Sequence, residues 1–229
     1  MRFTSGEGSV TSAAWSPDGN RIAFGLQQAI GGSIWVKQSN GAGEPKLLLR
    51  TNGRLAADSW SADGRVLLYD EQETSVQSGI WQLPMQGERK PVPVLRSEFV
   101  VRDARLSPDG RWMAYVSNET GRDEIYMRAM AGAGGKWMIS SEGGSEPRWS
   151  RTGTELFFLS ADGALMSVEV RFEGETLRAG IPRSLFLTRR ARECEVSPDG
   201  RRFLIPVNPK EAENESIYVV LNWAEDLRR

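Results

Sequence analysis

A turn string that recurs every 43 to 47 residues, four short apolar strands attached to each recurrence, and a chain rich in glycine and tryptophan predict an all-β fold. The architecture they point to is a β-propeller of five four-stranded blades. The string Ser16-Pro17-Asp18-Gly19 returns as Ser61-Ala62-Asp63-Gly64, Ser107-Pro108-Asp109-Gly110 and Ser197-Pro198-Asp199-Gly200, with a degenerate copy, Ser150-Arg151-Thr152-Gly153, in the gap. Propeller blades repeat at roughly 40 to 50 residues, whereas common helical repeats are shorter. No window carries a sustained 3.6-residue apolar period, so helical solenoids fail on pattern too.

Each element of the unit has a local reason. The first strand ends on an apolar residue: Trp15, Trp60, Leu106, Trp149 or Val196. In the turn, proline presets φ, aspartate bonds its own downstream backbone and glycine accepts a positive φ. The recurring aspartates are therefore read as turn residues, not as a metal or catalytic ring. The second strand alternates large residues, from Ile22 and Phe24 through Leu67 and Tyr69, Met113 and Tyr115, Leu156 and Phe158, to Phe203 and Ile205. Apolar pairs mark the third: Ile34-Trp35, Ile80-Trp81, Ile125-Tyr126, Leu165-Met166 and Ile217-Tyr218. A turn leads to the short fourth strand, at Leu47 to Leu49, Val92 to Leu95, Trp137 to Ile139 and Leu185 to Leu187.

The single propeller domain covers 1–229, with blades at about 11–50, 56–96, 102–140, 145–188 and 192–223. The fifth blade lacks a fourth strand of its own. Residues 1–4, through Arg2-Phe3-Thr4, could supply it, closing the ring and hiding two sheet edges. The alternative is a fragment of a larger propeller, with 1–4 the stump of the preceding blade.

Composition excludes several functions. The chain has 29 Lys plus Arg against 30 Asp plus Glu, a net charge of −1, which lacks the basic surplus of nucleic-acid binding. Histidine is absent, so Ser-His or Cys-His nucleophiles and histidine-ligated metals are ruled out. Cys194 stands alone and forms no internal disulfide; it reads as a half-buried strand residue. Gly132-Ala133-Gly134-Gly135-Lys136 fails as a phosphate loop, because Met130 replaces the first glycine and Trp137 the Ser/Thr. The carboxylate pairs Asp70-Glu71, Asp123-Glu124 and Glu193-Glu195 read as solvated strand ends, and Arg183, Arg189, Arg190 and Arg192 as a solvated basic loop. No apolar run approaches the roughly 20 residues of a membrane span, and no signal peptide is visible. The expectation is no enzyme, no catalytic residue, no cofactor, no metal, no nucleic acid and no direct membrane insertion.

The units, read as Trp-Ser-Pro-Asp-Gly-x-x-Ile-Ala-Phe followed by Ile-Trp-Val, resemble TolB-like (WD-like) β-propeller repeats over essentially the whole chain. In the second half the series Gly121-Arg122-Asp123-Glu124-Ile125-Tyr126, Glu146-Pro147-Arg148-Trp149-Ser150 and Val219-Val220-Leu221-Asn222-Trp223 is similar to the C-terminal propeller of bacterial serine/threonine protein kinases. The resemblance implies a sensor or protein-binding module, periplasmic if it belongs to a membrane kinase or TolB-type protein, and cytoplasmic if the chain is complete as written. TolB itself carries six blades and an N-terminal α/β domain, and no kinase motif is present here. Two alternatives are the accessory propeller of a prolyl-oligopeptidase-like hydrolase and a stand-alone lectin-like propeller.

A binding site belongs where the innermost strands converge at the channel mouth. Seven positions before each turn glycine stand Ser12, Ala57, Asp103, Glu146 and Glu193; eight before stand Thr11, Ala56, Arg102, Ser145 and Arg192. The charged members, Arg102, Asp103, Glu146, Arg192 and Glu193, are the candidate contacts for a partner protein or a small polar ligand.

Overall fold

The computed structural model describes residues 8–74, 77–131, 135–174, 176–188, 191, 193–197 and 200–206. Every element among them is a β-strand, and no described helix is long and apolar enough to cross a membrane. The first sheet is β1 (Ser9–Trp15), β2 (Arg21–Gln27), β3 (Gly32–Gln38) and β4 (Lys46–Thr51), hydrogen-bonded in that order. The second follows the same order with β5 (Arg54–Trp60), β6 (Val66–Gln72), β7 (Ser78–Pro84) and β8 (Val92–Ser97). The third has β9 (Val101–Leu106), β10 (Trp112–Ser117), β11 (Glu124–Ala129) and β12 (Lys136–Met138).

The fourth unit departs from the expected four strands. It contains β13 (Ser145–Trp149), β14 (Glu155–Leu159), β15 (Ala164–Glu173), β16 (Thr176–Ala179) and β17 (Arg183–Leu187). β15 is long enough to pair with β17 along its first half and with β16 along its second. In the fifth unit the described strands are β18 (Glu195–Val196) and β19 (Phe203–Leu204). The expected strand at Ile217-Tyr218 and the closing segment 1–4 lie outside the described residues.

The turn string works by side chain as well as by φ. Ser107 Oγ donates to Asp109 Oδ1 at 2.6 Å and accepts from Trp112 N, while Arg111 N donates to the same carboxylate oxygen. Gly110 sits at φ 70°, a conformation that costs a side chain. Ser16 and Asp18 repeat the arrangement.

Adjacent sheets pack face to face, and each seam is one apolar cluster. Ala14, Ala23 and Ile34 meet Leu55, Trp60, Leu67 and Tyr69 between the first and second sheets. Leu68 and Ile80 meet Val101, Met113 and Tyr115 at the next seam. Trp112, Val116 and Ile125 meet Leu156, Phe158 and Val168 at the third. Phe157, Leu159 and Leu165 meet Cys194 and Phe203 at the fourth. Side chains of the first strands also cross the seams: Thr11 Oγ1 donates to Leu55 O, Ala57 N to Ser12 Oγ, and Ser59 Oγ to Ala104 O.

Three expectations of solvated or half-buried residues are corrected. Asp70, Glu71 and Glu124 are buried rather than solvated strand ends, and Cys194 is fully buried. Glu124 is tolerated because Ser140 Oγ, Gly143 N and Arg122 Nε all donate to it, so a buried charge keeps its hydrogen bonds.

Candidate functional site

The first strands of all five units, β1, β5, β9, β13 and β18, border a single cavity of about 610 Å³. Ser12, Ala57, Asp103, Glu146 and Glu193, one from each repeat, all line it. Arg102 does not: it faces a neighbouring depression with Ser145 and Glu146, and pairs with Asp103 and with Asp123 at 2.6 Å. Arg192 lies outside the described residues.

The backbone explains why Asp103 and Glu146 occupy the same place. Both have φ 54°, the only non-glycine residues in the left-handed region among those described. In each case the strand pairing slips: Arg102 and Arg105 face Val116 and Ala114, and Ser145 and Arg148 face Leu159 and Phe157. A bulge places an extra residue on the inner strand and re-aims its side chain. Backbone strain held at equivalent positions of two repeats marks a site of interest.

Four charged lining residues were not singled out by counting: Asp58, Arg105, Arg148 and Glu195. Arg105, Arg148 and Glu195 stand two positions beyond Asp103, Glu146 and Glu193, and a charged residue recurring at period two in an otherwise apolar strand was the available signal. Arg148 Nη2 bonds Glu146 Oε2 at 2.8 Å and Glu195 Oε1 at 2.9 Å, so it joins the fourth unit to the fifth. Arg105 makes no ion pair within 4 Å among the described residues, and its Nε is buried without a partner.

Burial dominates the electrostatics. Burial, then the neighbouring charge of Asp70, pushes the Asp58 carboxyl well above its ordinary value, with Arg105 opposing. Burial, then the charge of Asp103, pushes Asp70 to about 7. Asp58 Oδ2 meets no donor from elsewhere, and a proton shared between Asp58 and Asp70 removes the cost of two adjacent buried charges. Glu146 is raised by burial, with Arg148 opposing. Burial alone would lower Arg102 and Arg148; their carboxylate partners outweigh it and hold both guanidiniums above the usual value.

Carboxylate oxygens of Asp58, Asp70 and Asp103 all lie within 4.8 Å of one another. Three hard oxygen donors are the set a divalent cation takes, and the same proximity is also satisfied by retained protons. Burial pushes the Cys194 thiol to about 12, so it offers no thiolate nucleophile. The site is equipped for ionic and hydrogen-bonded recognition.

These radially ordered antiparallel sheets, with their first strands around one channel, define a β-propeller. No family model and no curated protein matches the chain. Solved structures do. TolB from Acinetobacter baumannii aligns at TM-score 0.64 and 20% identity over 88% of this chain and 49% of that one. A chain of the nidogen/laminin complex aligns at TM-score 0.64 and 11% identity over 86% and 72%. The periplasmic gluconolactonase PpgL of Pseudomonas aeruginosa aligns at TM-score 0.61 and 15% identity over 95% and 71%. The likeness is one of fold, and the chain spans about half the length of the A. baumannii TolB it matches.

Proposed function

We propose that this chain is a non-enzymatic protein-interaction propeller whose partner enters at the channel mouth. The observation that carries the reading is the convergence of Asp103, Glu146 and Glu193, from three repeats, on one cavity. Asp58, Asp103, Glu146, Glu193 and Glu195 line the cavity against two guanidiniums, Arg105 and Arg148, and Arg148 is already committed to Glu146 and Glu195, so the lining has a surplus of hydrogen-bond acceptors. The entering segment is accordingly polar and carries lysine or arginine, with Arg102 beside the cavity orienting its acidic neighbours Asp103 and Asp123. Channel-mouth charges act more on specificity and association rate than on raw affinity. The kinase-like series in the second half supports placing the module as the sensor portion of a receptor-like serine/threonine kinase, on the periplasmic side of the membrane.

A random peptide library displayed on phage and selected on the purified chain tests this reading. Selected peptides are expected to be enriched in lysine and arginine, and Asp103→Lys with Glu193→Lys should abolish their binding while the far-ultraviolet spectrum is unchanged. Peptides that bind wild type and the double variant equally would move the site elsewhere. One fold neighbour is a gluconolactonase; lactone hydrolysis by this chain above the buffer rate would overturn the non-enzymatic assignment.

A further inference from the structure

Arg105 and Arg148 hold the same place in the third and fourth units, five positions before the turn glycine and two beyond a carboxylate residue with φ 54°. All three nitrogens of Arg148 are used. Its Nε and Nη2 donate to Glu195 Oε1 at 3.1 and 2.9 Å, Nη2 also to Glu146 Oε2 at 2.8 Å, and Nη1 to Pro147 O at 3.0 Å. The two carboxylates come from fixed places in the repeat: Glu146 seven positions before its own turn glycine, Glu195 five before the next.

The same construction breaks down at Arg105. Five positions before the next turn glycine stands Arg148, a second guanidinium. Burial, then the Arg148 charge, lowers the Arg105 guanidinium from its ordinary value. Asp103, the counterpart of Glu146, is paired with Arg102 instead. Glu146 is bonded to Arg148, and the Asp58–Asp70 pair retains a proton. Arg105 therefore has no ion pair within 4 Å among the described residues, and its Nε is enclosed without a partner.

The backbone nonetheless holds Arg105 firmly. In the preceding unit Ser59 Oγ donates to Ala104 O and accepts from Leu106 N, and from the following unit Trp149 Nε1 donates to Arg105 O at 3.0 Å. Its side chain lines the cavity beside Asp103 and Glu146. A guanidinium withdrawn from water is costly until something bonds to it.

We infer that Arg105 receives a carboxylate of the entering segment, in the role that Glu195 plays for Arg148, so that the occupant carries an acidic group beside its basic one. This rests on the channel-mouth reading and narrows it. The planar guanidinium is a fork matched to a carboxylate. Carboxylates bonded on one side keep lone pairs for an incoming ammonium, so Asp103, Glu146 and Glu193 still serve the basic group. The chemistry is the same for a side-chain carboxylate and for a C-terminal one.

Four probes test it on the chain labelled with heavy nitrogen: acetyl-Lys-Asp-amide, acetyl-Lys-Asn-amide, acetyl-Asp-amide, and acetyl-Lys-Gly with a free C-terminus. The reporter is the Arg105 Nε–H resonance, identified as the one missing from Arg105→Gln, or from Arg105→Lys should the glutamine variant not fold. A probe with both charges should displace this resonance and bind about tenfold more tightly than acetyl-Lys-Asn-amide, a preference lost in the variant. Preference for the aspartate probe assigns a side-chain carboxylate, preference for the free C-terminus a terminal one, and either upholds the inference. If the lysine probes bind equally with and without a carboxylate and leave the resonance unmoved, the inference is overturned while the channel-mouth reading stands. If no lysine probe binds but acetyl-Asp-amide displaces the resonance, the basic-partner reading fails and Arg105 remains the carboxylate site. Silence of all four probes overturns both.

Discussion

Trp60 hands its indole N–H to the carbonyl of Ala14, 46 residues earlier, and so couples the end of one inner strand to the end of the next. The ring is otherwise buried in the seam, with the Arg21 guanidinium 5.0 Å from its centroid. Trp149 makes the same bond to Arg105. One residue type at one repeat position thus supplies packing, a directional bond and the spacing between units.

Trp60→Phe should cost about 1–2 kcal/mol, from the lost hydrogen bond and part of the ring volume, and Trp60→Ala about 3–5 kcal/mol. Trp15→Ala, at an exposed indole, should cost well under 1 kcal/mol in the same chain. Urea denaturation of the three variants checks the ordering, and an equal cost at both tryptophans would deny the seam its role.

The Asp58–Asp70 pair makes stability fall as pH rises. Asp70 holds its proton up to about 7 in the fold, raised by burial and by Asp103, with Arg54 opposing, whereas the unfolded chain releases it near 4. Between those values the folded state binds more protons, so stability is present at about pH 4 and lost by about pH 7. Asp70→Asn should flatten the decline in melting temperature between pH 5 and pH 8. A decline as steep as wild type would show that Asp70 is already ionised.

Arg148 carries the join between the fourth and fifth units. Arg148→Met should destabilise by about 1–3 kcal/mol, since Glu146 keeps its partial burial and loses its partner. Arg148→Lys should recover only part of this, because a single ammonium cannot reproduce the fork that reaches both Glu146 and Glu195. Limited proteolysis should cut the fifth unit faster in Arg148→Met than in wild type; identical digestion patterns would refute the join.

Cys194 should be inert to thiol reagents in the native state. Its burial and its thiol at about 12 leave almost no thiolate at neutral pH. Modification by a chromogenic disulfide should wait for denaturant, and rapid native labelling would mean that the fifth unit opens.

The turn serine and glycine are expected to matter more than the intervening proline. Ser107→Ala removes a buried hydroxyl that bonds Asp109 and Trp112 N, and should cost about 1–2 kcal/mol. Gly110→Ala, at φ 70°, should cost about 1 kcal/mol. Thermal unfolding separates these from Pro108→Ala, which should stay within about 0.5 kcal/mol.

The amino-acid order alone determined the all-β class, the repeat, the strand order of the first three units and the ring formed by Ser12, Ala57, Asp103, Glu146 and Glu193. These follow from local rules: period-two alternation, turn chemistry and a fixed distance from the turn glycine are all legible in one dimension. Only the tertiary structure decided which charges are buried. Asp70 looked like a solvated strand end because nothing in its own segment shows that Asp58 and Asp103, from other strands, close over it. Arg102 and Asp103 were placed on one rim, yet the bulge at Asp103 turns its carboxylate into the channel while Arg102 faces the depression beside it. Seams are contacts between residues about 45 positions apart, and their strength depends on what packs across them. The apolar position before each turn is therefore readable in every repeat, as tryptophan in three of them, while the burial of Trp60 comes from the first sheet packed against it and Trp15 meets no such sheet among the described residues.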